Sequence, residues 1–305
     1  MTGTALALVL GAAVLHALWN LAAKRASGDG YLFVWWYNVA SAVLWLPIGL
    51  VVLARAGWPI GWELAVGPAV SAIFHIVYQL CLQTGYQRAD LGVVYPVARG
   101  TGPLLTVVVA LAVLGERPGW VAVGGGLVVI AGIVVVATGG SRALRHRAST
   151  GIWWGALTGA GIAAYTLWDD HAVTTWALAP VTYFSLGCTL QALAMTPGAL
   201  LRSRAARAGG DQAPAAGSDV GPASALAVLR RSRLEIGIVA VLSPLAYVLV
   251  LEAMHTTPVA LVAPARESSI VVGSLLAWWL FREPDPLRRL LGAVVVLGGI
   301  ALIVA

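Results

Sequence analysis

Two arginines, Arg99 and Arg266, and one glutamate, Glu267, stand inside long apolar runs of this sequence. An ionised side chain at the centre of a bilayer costs about 2.5–3.5 kcal/mol on insertion scales, so such a group needs a partner or a task. A guanidinium fork grips a carboxylate or phosphate through parallel hydrogen bonds. Two arginines against one deep carboxylate therefore favour an anionic or zwitterionic solute. Glu267 is expected to pair with Arg99 or Arg266, holding two helices together, and to release an arginine when a solute arrives.

Other polar residues recur at helical spacing around these three. Tyr95, Arg99, Gly102 and Thr106 share one face, and His75, Tyr78, Gln79, Gln83 and Tyr86 share a broad side of the preceding segment. His16, Trp19 and Asn20 lie on the first apolar segment, and Tyr165, Trp168 and Asp169 on the sixth. The substrate-binding candidates are thus Arg99, Arg266, Tyr95, His75, Tyr78, Gln79, Trp19, Asn20, Tyr165, Trp168 and Tyr247. Glu267, Glu252 and Asp169 are candidates for proton coupling or charge pairing. Glu252, which shares a face with His255, and Asp169 lie near helix ends and are expected at a solvated interface. His16 and His75 lie deeper, as packing residues within reach of a solute. Pro96 and Pro264, just before the arginines, free backbone carbonyls and predict a local bend.

The elements that must carry these residues follow from composition. The chain has 305 residues, 59% of them hydrophobic and only 10% charged, against roughly 25% charged in soluble domains. A span takes about 20 apolar residues, and apolar stretches run at about 3–23, 31–54, 62–86, 91–114, 119–138, 151–170, 178–201, 234–256, 258–281 and 286–305. These predict an all-α membrane protein of ten transmembrane helices. Arg99 and Arg266 then lie about 12 Å inside at 1.5 Å rise per residue. The stretch 202–233 is rich in Ala, Gly, Arg, Ser and Pro and is expected to be a flexible linker.

The chain also repeats itself. An offset of 167 residues brings Arg99 onto Arg266, Glu116 onto Glu283, Gly125 onto Gly292 and Gly132 onto Gly299, and an offset of 149 brings Leu18-Trp19-Asn20 onto Leu167-Trp168-Asp169. Residues 1–140 and 151–305 are read as two five-helix repeats. Since five is odd, the second enters the membrane from the opposite side, as inverted repeats. Fifteen Lys and Arg fall on odd-numbered connections, against Arg55 and Arg117 on the even ones. Without the six in the linker the bias is still nine to two, which predicts cytoplasmic odd connections and external termini in a multi-pass cell-membrane protein. The net charge of +6 is therefore orientation, not a nucleic-acid surface.

The stretch Val94-Tyr95-Pro96-Val97-Ala98-Arg99-Gly100-Thr101-Gly102-Pro103, closing on Leu114-Gly115-Glu116-Arg117-Pro118, resembles the fourth helix of EamA-like members of the drug/metabolite transporter superfamily. Ala263-Pro264-Ala265-Arg266-Glu267 through Phe281-Arg282-Glu283-Pro284 is its second-half counterpart, and the resemblance covers essentially the whole chain. It implies helices 1, 3, 4, 6, 8 and 9 around a solute cavity with 5 and 10 at the periphery, and termini in the cytoplasm, opposite to the charge count. Members export amino acids and other metabolites.

The function expected is secondary transport by alternating access, as exporter or exchanger of a small anionic or zwitterionic metabolite, amino-acid-like or phosphorylated. Proton-coupled efflux of lipophilic cations is the alternative within transport, and a membrane-embedded enzyme the alternative outside it. No GxxxxGK[ST], HExxH or GxSxG pattern is present, so direct ATP drive and hydrolase chemistry are not expected, and the chain is read as no enzyme. Cys81 and Cys188 are isolated packing residues. No cofactor and no metal are expected; the partners are a small solute and the lipid bilayer, with no nucleic acid. The glycines of helices 5 and 10 suit close packing in a monomer, or a contact in a homodimer. A reporter fused after Ala305 should read as external; a cytoplasmic signal there would reverse the charge-based orientation.

Overall fold

The computed structural model describes residues 1–26, 28–88, 91–137, 148–208, 224–269, 272 and 286–304. Among them all regular structure is helical: α1 (Gly3–Arg25), α2 (Gly30–Arg55), α3 (Trp62–Arg88), α4 (Leu91–Ala112), α5 (Trp120–Ala137), α6 (Ala148–Thr174), α7 (Pro180–Ala208), α8 (Ala225–Arg231), α9 (Arg233–Met254), α10 (Val259–Arg266) and α11 (Pro286–Val304). Five of these, α1, α2, α3, α7 and α9, contain stretches long and apolar enough to cross a membrane, and α4 and α5 hold the shorter apolar stretches Val97–Ala112 and Trp120–Gly132. Most of the expected helix at 258–281 beyond α10 lies outside the described residues.

The linker expected at 202–233 is helical at both of its ends. Residues 202–208 continue α7, and α8 forms where composition suggested none; residues 209–223 lie outside the described part. Tertiary contacts supply what α8 lacks in length. Ser224 caps it by accepting from the Ala227 nitrogen at 3.3 Å. The Trp36 indole donates to the Ala225 carbonyl at 2.7 Å, and Val228 is buried beside Leu32, Phe33, Ala199, Ile236 and Val239. Arg202 pairs with Asp29 at 3.1 Å nearby.

The packing repeats with the sequence. α1 lies along α9 as α6 lies along α3, and α2 touches α9 as α7 touches α3, while α2 with α7, α4 with α10 and α5 with α11 cross their own counterparts. The α5–α11 seam is built on glycine. A Cβ on Gly132 would stand 2.9 Å from the Val296 nitrogen and 3.1 Å from the Gly292 carbonyl oxygen, and one on Gly299 would stand 2.7 Å from the Val129 nitrogen and the Gly125 carbonyl oxygen. These are equivalent contacts, since each pair of positions differs by the same 167 residues. The glycine face of α5 is thus filled from within the same chain.

One pair of seams departs from this symmetry. Gly155 and Gly159 of α6 bring it against α4, where added Cβ atoms would meet Val97 and Thr101 at 2.7 Å. At the matching positions α1 carries Leu6 and Leu10 in place of glycine. Prolines are accommodated by neighbours. Pro244 has no N–H for the Ala240 carbonyl, which instead accepts from the Trp45 indole at 3.1 Å and the Ser41 hydroxyl at 3.3 Å.

Gly132→Ala should lower stability by about 1–3 kcal/mol through backbone overpacking, read as the unfolding midpoint in detergent. Gly124→Ala, with open space beside it, should leave the midpoint unchanged or raised, because alanine favours helix.

Candidate functional site

The three intramembrane charges meet in one cluster. Arg99 of α4 donates through Nη1 to Glu267 Oε2 at 2.8 Å. Arg266, the last residue of α10, donates to Glu267 Oε1 through Nη2 at 3.1 Å and Nε at 3.3 Å, and through Nη1 to the Thr166 hydroxyl at 3.5 Å. Each carboxylate oxygen therefore serves one guanidinium. Glu267 is 1% exposed and the Arg99 side chain 11%, so the glutamate is locked in while Arg99 keeps a small open edge.

Backbone geometry delivers Glu267 to this position. α10 stops at Arg266 and tightens, with the Glu267 nitrogen donating to the Pro264 carbonyl and the Ser268 nitrogen to the Ala265 carbonyl, each at 3.1 Å. These are i to i+3 bonds, the tight turn that ends a helix. α10 stays helical through Pro264 and ends two residues later, whereas α4 continues well past Pro96 and Arg99. At the other end of α10, Glu116 accepts from the Val259 and Ala260 nitrogens at 2.9 and 3.0 Å. A carboxylate there satisfies otherwise unpaired donors at the positive end of the helix.

An aromatic group joins this cluster to a second carboxylate. Arg266 Cζ lies 5.9 Å from the Tyr165 ring. Tyr165 stacks on His75 at 4.1 Å and meets Tyr78 and Tyr247 edge-on. Tyr247 packs on Phe184 at 4.9 Å, and its hydroxyl donates to Asp169 Oδ2 at 2.6 Å. The Tyr183 hydroxyl donates to Asp169 Oδ1 at 2.6 Å. The expectation of a solvated Asp169 is thereby corrected: the residue is 0% exposed, because α3, α7 and α9 pack around this end of α6 and two tyrosines replace water.

Of the other sequence candidates, Gln79 reaches Tyr37 at 3.4 Å and Gln191 at 3.3 Å. Trp19 meets His16 edge-on at 4.8 Å, and Asn20 spends its amide on the His16 carbonyl at 2.7 Å. Trp168 turns away from the arginines, donating to the Gly67 carbonyl at 2.9 Å among Phe74, His171 and Trp176. Glu252 is exposed at the end of α9 and is not brought to the cluster. The side chains of Tyr95, Gln83 and Tyr86 lie outside the described residues.

Sequence reasoning passed over Tyr37, Thr166, Tyr183 and Gln191. Gln191 carried a usable signal, a polar amide inside an apolar span. Three polar atoms of this region, Trp19 Nε1, Gln79 Oε1 and Ser268 Oγ, are buried without a hydrogen-bond partner among the described residues. Among the same residues no group of three His, Cys, Asp or Glu side chains could hold a metal.

The EamA-like transporter family matches the chain twice, over residues 3–138 and 149–305. The chain belongs to the EamA-like transporter family. Its two matched segments correspond to the two halves read from the internal offsets, and the chain is a multi-pass helical membrane transporter. A crystal structure of a protein 17% identical in sequence superposes with a TM-score of 0.71, over 100% of this chain and 99% of that one, a likeness of fold. A comparison with curated proteins finds no match.

Glu267→Ala should lower the unfolding midpoint strongly, since removing one partner of a buried ion pair costs about 3–5 kcal/mol. Glu252→Ala should change stability by less than about 0.5 kcal/mol. Thermal unfolding of the two purified variants in one detergent compares them directly.

Proposed function

We propose that this EamA-family transporter is a secondary exporter or exchanger of a small anionic or zwitterionic metabolite, which binds where Arg99, Glu267 and Arg266 meet. The observation that carries the reading is the sharing of one carboxylate by two arginines. A solute carboxylate or phosphate offers Arg99 a better partner than half of Glu267, and Arg266 can keep the glutamate neutralised while Arg99 turns to the solute.

Other features support a chamber beside the cluster. His75, Tyr165, Phe184 and Tyr247 touch one another and each keep 7–8% exposure, while Ala172, Val250 and Leu251 of the same core keep 0–2%. The residual surface fits a small hollow on their shared side. The unpartnered Trp19 indole, Gln79 carbonyl and Ser268 hydroxyl are polar atoms that a solute could satisfy, and burying them unmatched costs free energy.

Ten spans in two inverted repeats, with odd connections in the cytoplasm, complete the proposal. The symmetric α5–α11 crossing suits a fixed peripheral pair. The α4–α6 seam is close through Gly155 and Gly159, where α1 carries Leu6 and Leu10, so the two halves are not packed alike around the cluster.

The test compares intracellular and extracellular metabolites in cells lacking and overproducing the protein, then follows uptake of the metabolite so found into proteoliposomes. Arg99→Ala and Arg266→Ala should each cut uptake at low solute concentration about ten- to a hundred-fold, the worth of a charged hydrogen bond. Normal transport by both variants would overturn the site.

A further inference from the structure

Asp169 is a buried carboxylate that the arginine site does not use. Its two described partners are neutral hydroxyls, Tyr183 of α7 on Oδ1 and Tyr247 of α9 on Oδ2, each at 2.6 Å. Its repeat counterpart, 149 residues earlier, is Asn20, an amide of the same shape that carries no charge and bonds within its own helix. Packing alone is thus met by an uncharged side chain at the equivalent place, while the second half holds an ionisable one.

The surroundings contain a ready alternative bond. The Tyr183 hydroxyl that donates to Asp169 also lies 3.4 Å from the Gly67 carbonyl of α3. Gly67 leaves room for this approach, since a Cβ there would stand 3.2 Å from the Tyr183 ring. When a proton binds Oδ1, the new carboxyl O–H can donate to the Tyr183 oxygen, and the Tyr183 hydrogen can turn to the Gly67 carbonyl. No hydrogen bond is lost: Tyr183 keeps its tie to α6, now as acceptor, and turns its own hydrogen to the α3 carbonyl that the Trp168 indole also reaches.

We propose that Asp169 is a proton-binding site of the transport cycle, with Tyr183 relaying the protonation to α3 by turning its hydrogen to the Gly67 carbonyl, and Tyr247 as the contact toward the aromatic chamber. The proton comes from water on one side of the membrane and leaves to water on the other; nothing is oxidised or reduced. The titratable and charged groups around it are His75 from α3, Asp170 and His171 from α6 itself, Tyr183 from α7, Tyr247 from α9, and Arg99 and Arg266 from α4 and α10 beyond Tyr165. His75 Nδ1 is engaged by Ser71, 3.0 Å from its carbonyl and 3.3 Å from its hydroxyl, so its role toward Asp169 is through Nε2 and its field. The proposal rests on the transport reading but not on the arginine site.

Infrared difference spectra of the purified protein between acidic and alkaline buffer test it. One component of the carboxylic-acid carbonyl absorption that comes and goes with pH should be present in the wild type and missing from Asp169→Asn, whose unfolding midpoint should stay near the wild type because the amide keeps the shape. Tyr183→Phe should keep the band but shift its frequency, as a hydrogen-bond partner is lost. Arg99→Ala and Arg266→Ala should keep the band even if they abolish transport, which separates failure of this inference from failure of the arginine site. A pH-dependent band that persists unchanged in Asp169→Asn, or no band in the wild type, would overturn the assignment. Should Asp169→Asn fail to fold, the Tyr183→Phe frequency decides: no shift refutes it.

Discussion

Charges placed in hydrocarbon must be solvated by the protein, and the way Arg99, Glu267 and Arg266 solve this constraint organises the molecule. Three helical segments are tied at one point: α4 through Arg99, α10 through Arg266 and Glu267, and α6 through Thr166. The arrangement is unsymmetric at its centre, because Glu267 stands where the first repeat has Gly100. Among the described residues two arginines share one carboxylate, each bound to a different oxygen of Glu267.

Around this centre the two halves share a scaffold but divide the chemistry. Glycines at equivalent offsets bring α5 to α11, yet the polar residues diverge: Asn20 faces Asp169 across the repeat relation, and Ala17 faces Thr166. A duplicated fold can keep symmetric packing, which both conformations of a rocking protein need, while one copy of each polar position changes to serve a single solute. Glu116 shows the scaffold role of a charge, capping α10 from the end of the first half.

Much of this architecture was legible in the residues. The arginine offset and the glycine offsets revealed the duplication because packing seams and buried charges tolerate little change of position, and the deep setting of Arg99 and Arg266 followed from their distance along apolar runs. Asp169 was misread because its place near a helix end suggested water, whereas its environment is set by Tyr183 and Tyr247, 14 and 78 residues away. The same limit hid α8. Its order comes from the Trp36 hydrogen bond and the Val228 socket, contacts that local composition does not encode.

The contacts that define the fold run chiefly between halves: α1 with α9, α2 with α7, α3 with α6, α4 with α6 and α5 with α11. A nascent first half therefore enters the bilayer with its glycine grooves vacant and Arg99 without its carboxylate, and it stays so until the ribosome has delivered more than a hundred further residues. Maturation is consequently a late, cooperative event governed by distant pairings, which close slowly. The two halves are better regarded as interleaved subunits of one assembly than as successive domains.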